Sequence, residues 1–504
     1  MSQKFRILFL YPNEPFLNPP PVSIGILAAI LRKSGFDVDI FDDTFYQTRS
    51  VTSDGAKVDN LQVKPFNFEE RGILPDTGDI FEDLRKKVAD FKPDLIALSV
   101  LEGTYQMGVR MLEAIRDYNV PVVAGGVYPT VVPEEVSANP LIKFICVGEG
   151  EVAMLKLCEA LAGGKDHTKI KNIWVKDNAG KVIKNDLNEV VDLDTIPTPD
   201  FSIFDPRRLY RPMAGKVYRL IPIETNRGCP FQCAFCNAPT LANIYKKNKI
   251  KNYFRKKSIK KIYQDLKFLV KRWDAEYIYF SSDTFLTMSD NEFGEFVEMY
   301  SEFSLPFWIQ TRPETVQQEK MDKLKMIGCH RMSTGLEHGN PEFRKNVLKK
   351  GFKNETFIDA ARMIANSGIP LTVNNIIGFP FETRKLVFDT IELNRKIMHD
   401  SCNCYSFYPF KGTALYEISK NEGFIRKDLS GRGCLTVGCA LDMPQFPNEE
   451  IRGLMRTFVL YVKMPKRFWP QIRVAERFDE EGDKKIRELK EIYIKNYLNT
   501  ESSG

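Results

Sequence analysis

Residues Glu224–Pro239 read ETNRGCPFQCAFCNAP, and this stretch decides the reading of the chain. Cys229, Cys233 and Cys236 stand within eight residues, spaced C-x3-C-x2-C. Thiolates packed this densely ligate iron–sulfur clusters, one sulfur per iron. Three ligands on a four-iron cube leave one iron open, which is a position for chemistry. A structural zinc ion would need a fourth ligand. No histidine precedes His167 and none stands near the motif, so that ligand would have to come from far along the chain. Chance thiols in a loop are the blander alternative. The [4Fe–4S] cluster is the stronger reading.

The motif follows an apolar strand, RLIPIET (Arg219–Thr225). Downstream, strands are expected at Glu276–Ser282, Pro306–Arg312, Arg331–Glu337, Pro370–Gly378 and Asn403–Phe410, with helical patterns in every gap. Six β/α units predict a partial, TIM-like parallel barrel, (β/α)6, over residues 216–430. Its active site belongs at the C-terminal ends of the strands. Residues 431–504 read as a helical C-terminal region ending in the charged helix Asp479–Leu498. Phe458, Tyr461, Phe468 and Trp469 at helical spacing read as core packed on the barrel.

Upstream the alternation is similar. Strands Arg6–Tyr11, Asp37–Asp42, Asp94–Val100, Val120–Gly126 and Phe144–Gly150 are separated by helices at Val22–Ser34, Asp79–Phe91 and Thr104–Tyr118. Gly35 ends the first helix, as a C-terminal glycine should. The pattern predicts an α/β, doubly wound, Rossmann-like domain over residues 1–150 with its ligand at the strand ends. Thr44–Gly78 shows no assignable periodicity. Residues 151–215 read as a helix, a hairpin turning at Asn178–Gly180, and the Pro- and Asp-rich stretch DLDTIPTPDFSIFDPRR (Asp192–Arg208), taken as a linker.

At 504 residues the chain is too long for one core, and two or three domains are expected. Net charge is only +6. The basic run Lys246–Lys261 reads as a solvated loop and helix start, so no nucleic-acid partner is expected. No apolar run reaches the length of a membrane span, and the N-terminus lacks a cleavable signal, so a cytoplasmic location is expected. Ten cysteines in that compartment are not disulfides. Cys402, Cys404, Cys434 and Cys439 could hold a second metal, but read better as small apolar residues.

With these motifs in order, the chain resembles the radical S-adenosylmethionine (SAM) superfamily. Within it, the chain resembles the enzymes that carry an N-terminal cobalamin (B12)-binding domain. The residues that carry the likeness are the cysteine motif, SSDTF (Ser281–Phe285), TRPE (Thr311–Glu314), STGLEHG (Ser333–Gly339), NIIGFPFET (Asn375–Thr383) and FYPFKGTALYE (Phe407–Glu417). In the first domain they are the PNEPFLNPPP opening and VVAGGVYPTVVPEEV (Val122–Val136). The resemblance implies that the cluster's open iron chelates SAM, with Phe235, Asp283, Arg312, Glu337, Gly378 and Pro380 as SAM contacts. It implies cobalamin beside Ser99, Gly125, Gly126 and Tyr128. Lacking a histidine before His167, the first domain would hold cobalamin without a lower histidine ligand.

The implied function is transfer of a methyl group to an unactivated carbon, through a 5′-deoxyadenosyl radical and methylcobalamin. The implied partners are a small-molecule, lipid or peptide substrate and a one-electron reductant such as flavodoxin or ferredoxin. The alternatives are a radical cyclisation, rearrangement or carbon–carbon coupling, and a non-catalytic Fe–S protein. A methylthiotransferase is disfavoured, because only Cys146 and Cys158 precede the motif. Thr44–Gly78 and the region after Gly412 are expected to shape the substrate pocket.

Overall fold

A computed structural model describes residues 4–17, 19–427 and 438–498. Strand β1 (Arg6–Tyr11) is apolar along its length because a parallel strand covered on both faces must be. It lies between β2 (Asp37–Asp42) and β3 (Leu95–Ser99), and β4 (Val122–Gly125) and β5 (Phe144–Cys146) continue the parallel sheet. The order 2-1-3-4-5 is doubly wound and reverses between β1 and β3, the place where such sheets bind ligands. The expected hairpin is present as β6 (Ile173–Lys176) and β7 (Val182–Ile183), and it extends this sheet antiparallel to seven strands. The last expected strand, Phe144–Gly150, is shorter than its apolar run. Gly148 takes a left-handed φ of 88° and turns residues 147–150 out of the sheet.

The stretch read as a linker, Asp192–Arg208, does not tether loosely; it packs. Phe201, Ile203 and Phe204 are buried, and Gly25 on helix Val22–Lys33 lets the Phe201 ring come close: a Cβ there would stand 3.1 Å from it. Arg208 is wholly buried. Its guanidinium pairs with Asp42 and donates to Thr44 Oγ1 at 2.6 Å and to the Pro19 carbonyl at 3.0 Å. Burial of a cation requires such partners, and sequence pattern alone does not reveal them.

The second sheet begins with an edge strand that the sequence reading lacked. β8 (Tyr210–Met213) pairs antiparallel with β9 (Lys216–Glu224). Its residues, YRPM, show no alternation, and Pro212 is tolerated because the strand is an edge. A short pair, β10 (Asn226–Arg227) and β11 (Arg255–Lys256), brackets the cysteine loop and its helix. Then β12 (Tyr277–Ser281), β13 (Phe307–Thr311), β14 (Cys329–Glu337), β15 (Leu371–Ile377) and β16 (Ser401–Ser406) complete the curved parallel sheet. All six expected barrel strands are there, joined by the edge strand β8, in the order 16-15-14-13-12-9-8. The fold is thus the expected α/β pairing of a doubly wound domain with a partial barrel.

Helices Asn448–Lys463, Trp469–Ala475 and Glu480–Tyr493 cover the β16 end. Phe458 and Tyr461 are buried, and Trp469 packs edge-on against Tyr461 and Phe388, so these aromatics are core as expected. Phe9 of β1, Ile223 of β9 and Phe458 belong to one continuous apolar cluster, so the two sheets share a core. Among the described residues no helix is long and apolar enough to cross a membrane.

Removing one partner of a buried ion pair typically costs about 3–5 kcal/mol. Arg208→Met should therefore lower the denaturant midpoint sharply, whereas Arg362→Met, at an exposed i,i+3 pair, should leave it within experimental error.

Candidate functional site

The cysteine loop is shaped by its ends. Gly228 has φ 79°, and a Cβ there would meet the Tyr253 ring at 3.0 Å, so only glycine turns the chain out of β10 at this point. At the other end Cys236 caps helix Asn237–Lys247, with the Ala238 amide donating to its sulfur at 3.4 Å. A helix N-terminus favours negative charge, and so favours a thiolate. The Arg312 guanidinium donates to Cys233 Sγ at 3.2 Å and lies 3.8 Å from the Phe231 ring centre. Burial pulls the Arg312 pKa down, but its pairings with Glu314 and Cys233 outweigh this and hold it above its ordinary value.

Burial raises the pKa of Cys229, and that of Cys236 to about 11, with Asp283 and the neighbouring thiols adding to the effect. The three sulfurs therefore share one electrostatic environment. Among the described residues no three His, Cys, Asp or Glu side chains converge tightly enough for a single metal ion. Three thiols on one loop suit a multi-iron cluster by their chemistry, each iron taking one sulfur. Metal binding must displace the protons that burial favours.

Directly before this loop lies a cavity of about 460 Å³. One wall comes from the first sheet's strand ends, with Ser99, Gly125 and Gly126. The opposite wall comes from the second sheet, with Glu224, Ser281 and Asp283. Gly126 has φ 109°, and a Cβ there would stand 2.6 Å from the Val100 carbonyl oxygen. Bare glycine backbone lines this wall, which suits the close approach of a broad, flat ligand such as cobalamin. Tyr128 is not part of the wall: its hydroxyl donates to Glu135 at 2.5 Å and its ring packs on Tyr105.

Charged groups close the cavity's flank. Arg227 pairs with Glu151 at 2.6 Å, with Glu224 at 2.8 Å and with Glu149 at 3.5 Å, and Arg255 also pairs with Glu149. Burial opposes the Arg227 charge, but these carboxylates outweigh it and hold its pKa above the ordinary value. The basic run Lys246–Lys261 is thus solvated only in its first part. Tyr253 lines the cavity, Arg255 joins this network, and Lys257 and Lys261 are buried on Asp265 at 3.0 and 2.8 Å. Short, alternating lysines concealed that role.

The other residues implicated by resemblance are brought near the loop without all facing the cavity. Asp283 faces it, and burial raises its pKa. Phe235 packs on Phe379, 5.8 Å between ring centres, which seats the loop on the Gly378–Pro380 turn. The Gly378 and Phe379 amides donate to Glu382 Oε2 at 2.5 and 3.1 Å. Glu337 sits at a positive φ of 63° and accepts from Lys350 Nζ at 2.9 Å. Strained backbone of this kind concentrates at functional sites. His338 Nε2 lies 3.1 Å from Glu382 Oε1, both side chains wholly buried, with neither atom hydrogen-bonded. Glu382 and Lys350 were not singled out in the sequence, although NIIGFPFET contains the former.

Cys402 and Cys404 are buried on the face of β16 opposite Asn403, and burial holds the Cys404 thiol far above its ordinary pKa. Cys439 is buried, with its thiol 3.4 Å from the Leu441 carbonyl. Cys434 lies outside the described residues.

Two family models match the chain: the Radical SAM superfamily over residues 223–393 and the B12 binding domain over residues 16–157. An uncharacterized methyltransferase of Pyrococcus horikoshii is 25% identical over 421 residues, covering 82% of this chain and 88% of that protein. The anaerobic magnesium-protoporphyrin IX monomethyl ester cyclase of Rubrivivax gelatinosus is 26% identical over 431 residues, covering 82% and 69%. Among solved structures, the radical SAM methyltransferase TsrM of Kitasatospora setae, with cobalamin and a [4Fe–4S] cluster, superposes with a TM-score of 0.64 at 16% identity. It covers 98% of this chain and 100% of that one. The cobalamin-dependent SAM radical enzyme OxsB gives 0.68 at 17% identity, covering 98% and 71%. At these identities the structures establish a shared fold.

Cys229→Ala, Cys233→Ala or Cys236→Ala should abolish iron retention after anaerobic reconstitution. Arg312→Leu, which removes the cation beside Cys233, should lower it. Cys404→Ala should leave it unchanged, and iron lost from that variant with iron kept by Cys229→Ala would reverse the ligand assignment.

Proposed function

We propose that this chain, which belongs to the radical SAM enzymes carrying a B12-binding domain, is a cobalamin-dependent methyltransferase acting on an unactivated carbon. One observation carries the reading: the glycine-lined strand ends of the first sheet and the Asp283 strand end of the second face a single cavity beside the cysteine loop. Cofactors held on the two walls would act on one substrate between them. Bound there, the cluster with SAM supplies a 5′-deoxyadenosyl radical, and cobalamin supplies the methyl group.

The chain's own residues have separable tasks. Cys229, Cys233 and Cys236 would hold the cluster, with the Arg312 guanidinium 3.2 Å from Cys233 Sγ. Asp283 would meet the SAM ammonium, and a carboxylate whose pKa is raised by partial desolvation gains from a cation as partner. Glu337, held by Lys350, offers its remaining oxygen to a donor on SAM. Ser99, Gly125 and Gly126 would carry one face of the corrin. The Arg227 network closes the flank of the cavity. Electrons would come from a flavodoxin or ferredoxin of the cytoplasm. The methyltransferase relatives from Pyrococcus and Kitasatospora support this reading; the Rubrivivax cyclase supports ring closure as the second one.

Anaerobic protein reconstituted with iron, sulfide and hydroxocobalamin should hold about four iron per chain and one cobalamin. Given SAM and dithionite, it should form both S-adenosylhomocysteine and 5′-deoxyadenosine. Iron and 5′-deoxyadenosine without cobalamin or S-adenosylhomocysteine would favour the second reading. Absence of both products would sink both.

A further inference from the structure

A second cavity, of about 270 Å³, lies inside the barrel. Lumens of such barrels are normally filled by layers of Val, Ile and Leu. Here Gln310, Ser333, Thr372, Asn374, Ser401 and Asn403 line it instead. Residues 54–66, from the segment without sequence periodicity, roof it together with β8. Its size is just under the usual range of small-ligand pockets, about 300–1,000 Å³.

Three buried polar atoms on this wall have no partner: Gln62 Oε1, Asn403 Oδ1 and Arg331 Nε; a fourth, Asp54 Oδ2, lies 3.8 Å from the Arg211 guanidinium. Buried polar atoms in native proteins are paired almost without exception, so a cluster of unpaired ones marks a missing partner. The Gln62 orientation follows from chemistry. Its amide nitrogen donates to the Cys404 carbonyl at 3.2 Å, and a carbonyl can only accept, which leaves Oε1 free. Asn403 donates its nitrogen to Asn374 Oδ1 at 2.8 Å, leaving its own oxygen free. Two of the three unpaired atoms are thus acceptors, and they call for a ligand that donates. Trp308 and Tyr405 add flat apolar surface to the same wall. Trp308 is braced by stacking on Tyr279, 4.6 Å between centres, and by donating to Ser333 Oγ at 2.9 Å. Gln310 belongs to the walls of both cavities, and its nitrogen is held by the Ser282 carbonyl at 2.8 Å.

We propose that this chamber binds a small ring compound bearing several hydroxyl donors, of the sugar or nucleoside type. Its hydroxyls pair with Gln62 and Asn403, and its ring lies against Trp308 and Tyr405. Read as the substrate class, this rests on the methyl-transfer reading; as a binding site it stands alone, because its pairings involve none of Cys229, Cys233 and Cys236.

The test uses the full chain without iron or cobalamin, so a failed methyltransferase assay leaves it unaffected. Saturation-transfer NMR is recorded with methyl β-glucoside, with uridine and with benzoate, the last a ring without hydroxyl donors. The hydroxylated probes should give signals that benzoate does not. Ser401→Phe, which fills the chamber, should abolish them. Gln62→Leu should weaken binding by about tenfold, the loss of roughly one buried hydrogen bond. Thermal melts establish that each variant folds, and if Ser401→Phe does not, Gln62→Leu decides. Silence from both hydroxylated probes would mean that the chamber holds water only. Signals equal for benzoate, or unchanged in the folded variants, would place binding elsewhere. Each of these results overturns the proposal.

Discussion

The Arg227 guanidinium, held by Glu149 and Glu151 from one sheet and Glu224 from the other, is the contact on which the site depends. A parallel sheet ends in carboxyl-side loops whose backbone groups are free to meet a ligand. Two such sheets can serve one reaction only when those ends face each other across a fixed gap. Apolar packing brings the sheets together without direction, because the core is continuous from Phe9 to Ile223. The ion network supplies direction. Glu149 is its hub, pairing with Arg227 and Arg255 and accepting the Val191 amide at 3.0 Å. A buried network of this kind is sensitive to displacement, because any member left alone keeps its desolvation cost.

Local geometry then places the reactive groups. The loop leaves β10 through a glycine no other residue could replace, and returns at a helix N-terminus that favours a thiolate. Glu382 is far from solvent, yet it accepts the Gly378 and Phe379 amides and so fixes the turn that ends β15. Residues that touch no ligand thus hold those that would. The two cavities divide the barrel in depth. The upper one lies between the sheets at the strand ends, and the lower one lies within the lumen, with Gln310 on the walls of both.

Much of this was legible in the chain. The strands stood out because parallel strands buried on both faces are written as apolar runs, and the six of the barrel appear where RLIPIET, EYIYFSS and their successors predicted them. The strand β8 was not legible, since an edge strand needs no alternation. Nor was the packing of Asp192–Arg208: Pro and Asp mark turns whether or not the turns are anchored, and the anchor is an arginine whose partners lie more than 160 residues away. The Lys246–Lys261 run misled for a related reason, because a lysine is exposed or buried according to whether a distant carboxylate such as Asp265 awaits it.

What the sequence by itself determined is the chemistry that can be carried: three thiols at a spacing fit for a cluster, glycines at strand ends, and the β/α period that makes both sheets parallel. Those are local properties of residue type and spacing, and they survive without coordinates. Only the tertiary structure decided that the two sets of strand ends share one cavity, that Tyr128 turns away to Glu135, and that the barrel lumen stays open and polar. The shared cavity and the open lumen depend on pairings far apart in the chain, and hydrogen bonds and ion pairs over that range leave no periodic trace in the chain that forms them; the Tyr128–Glu135 bond is local, but the turn that makes it carries no such trace either.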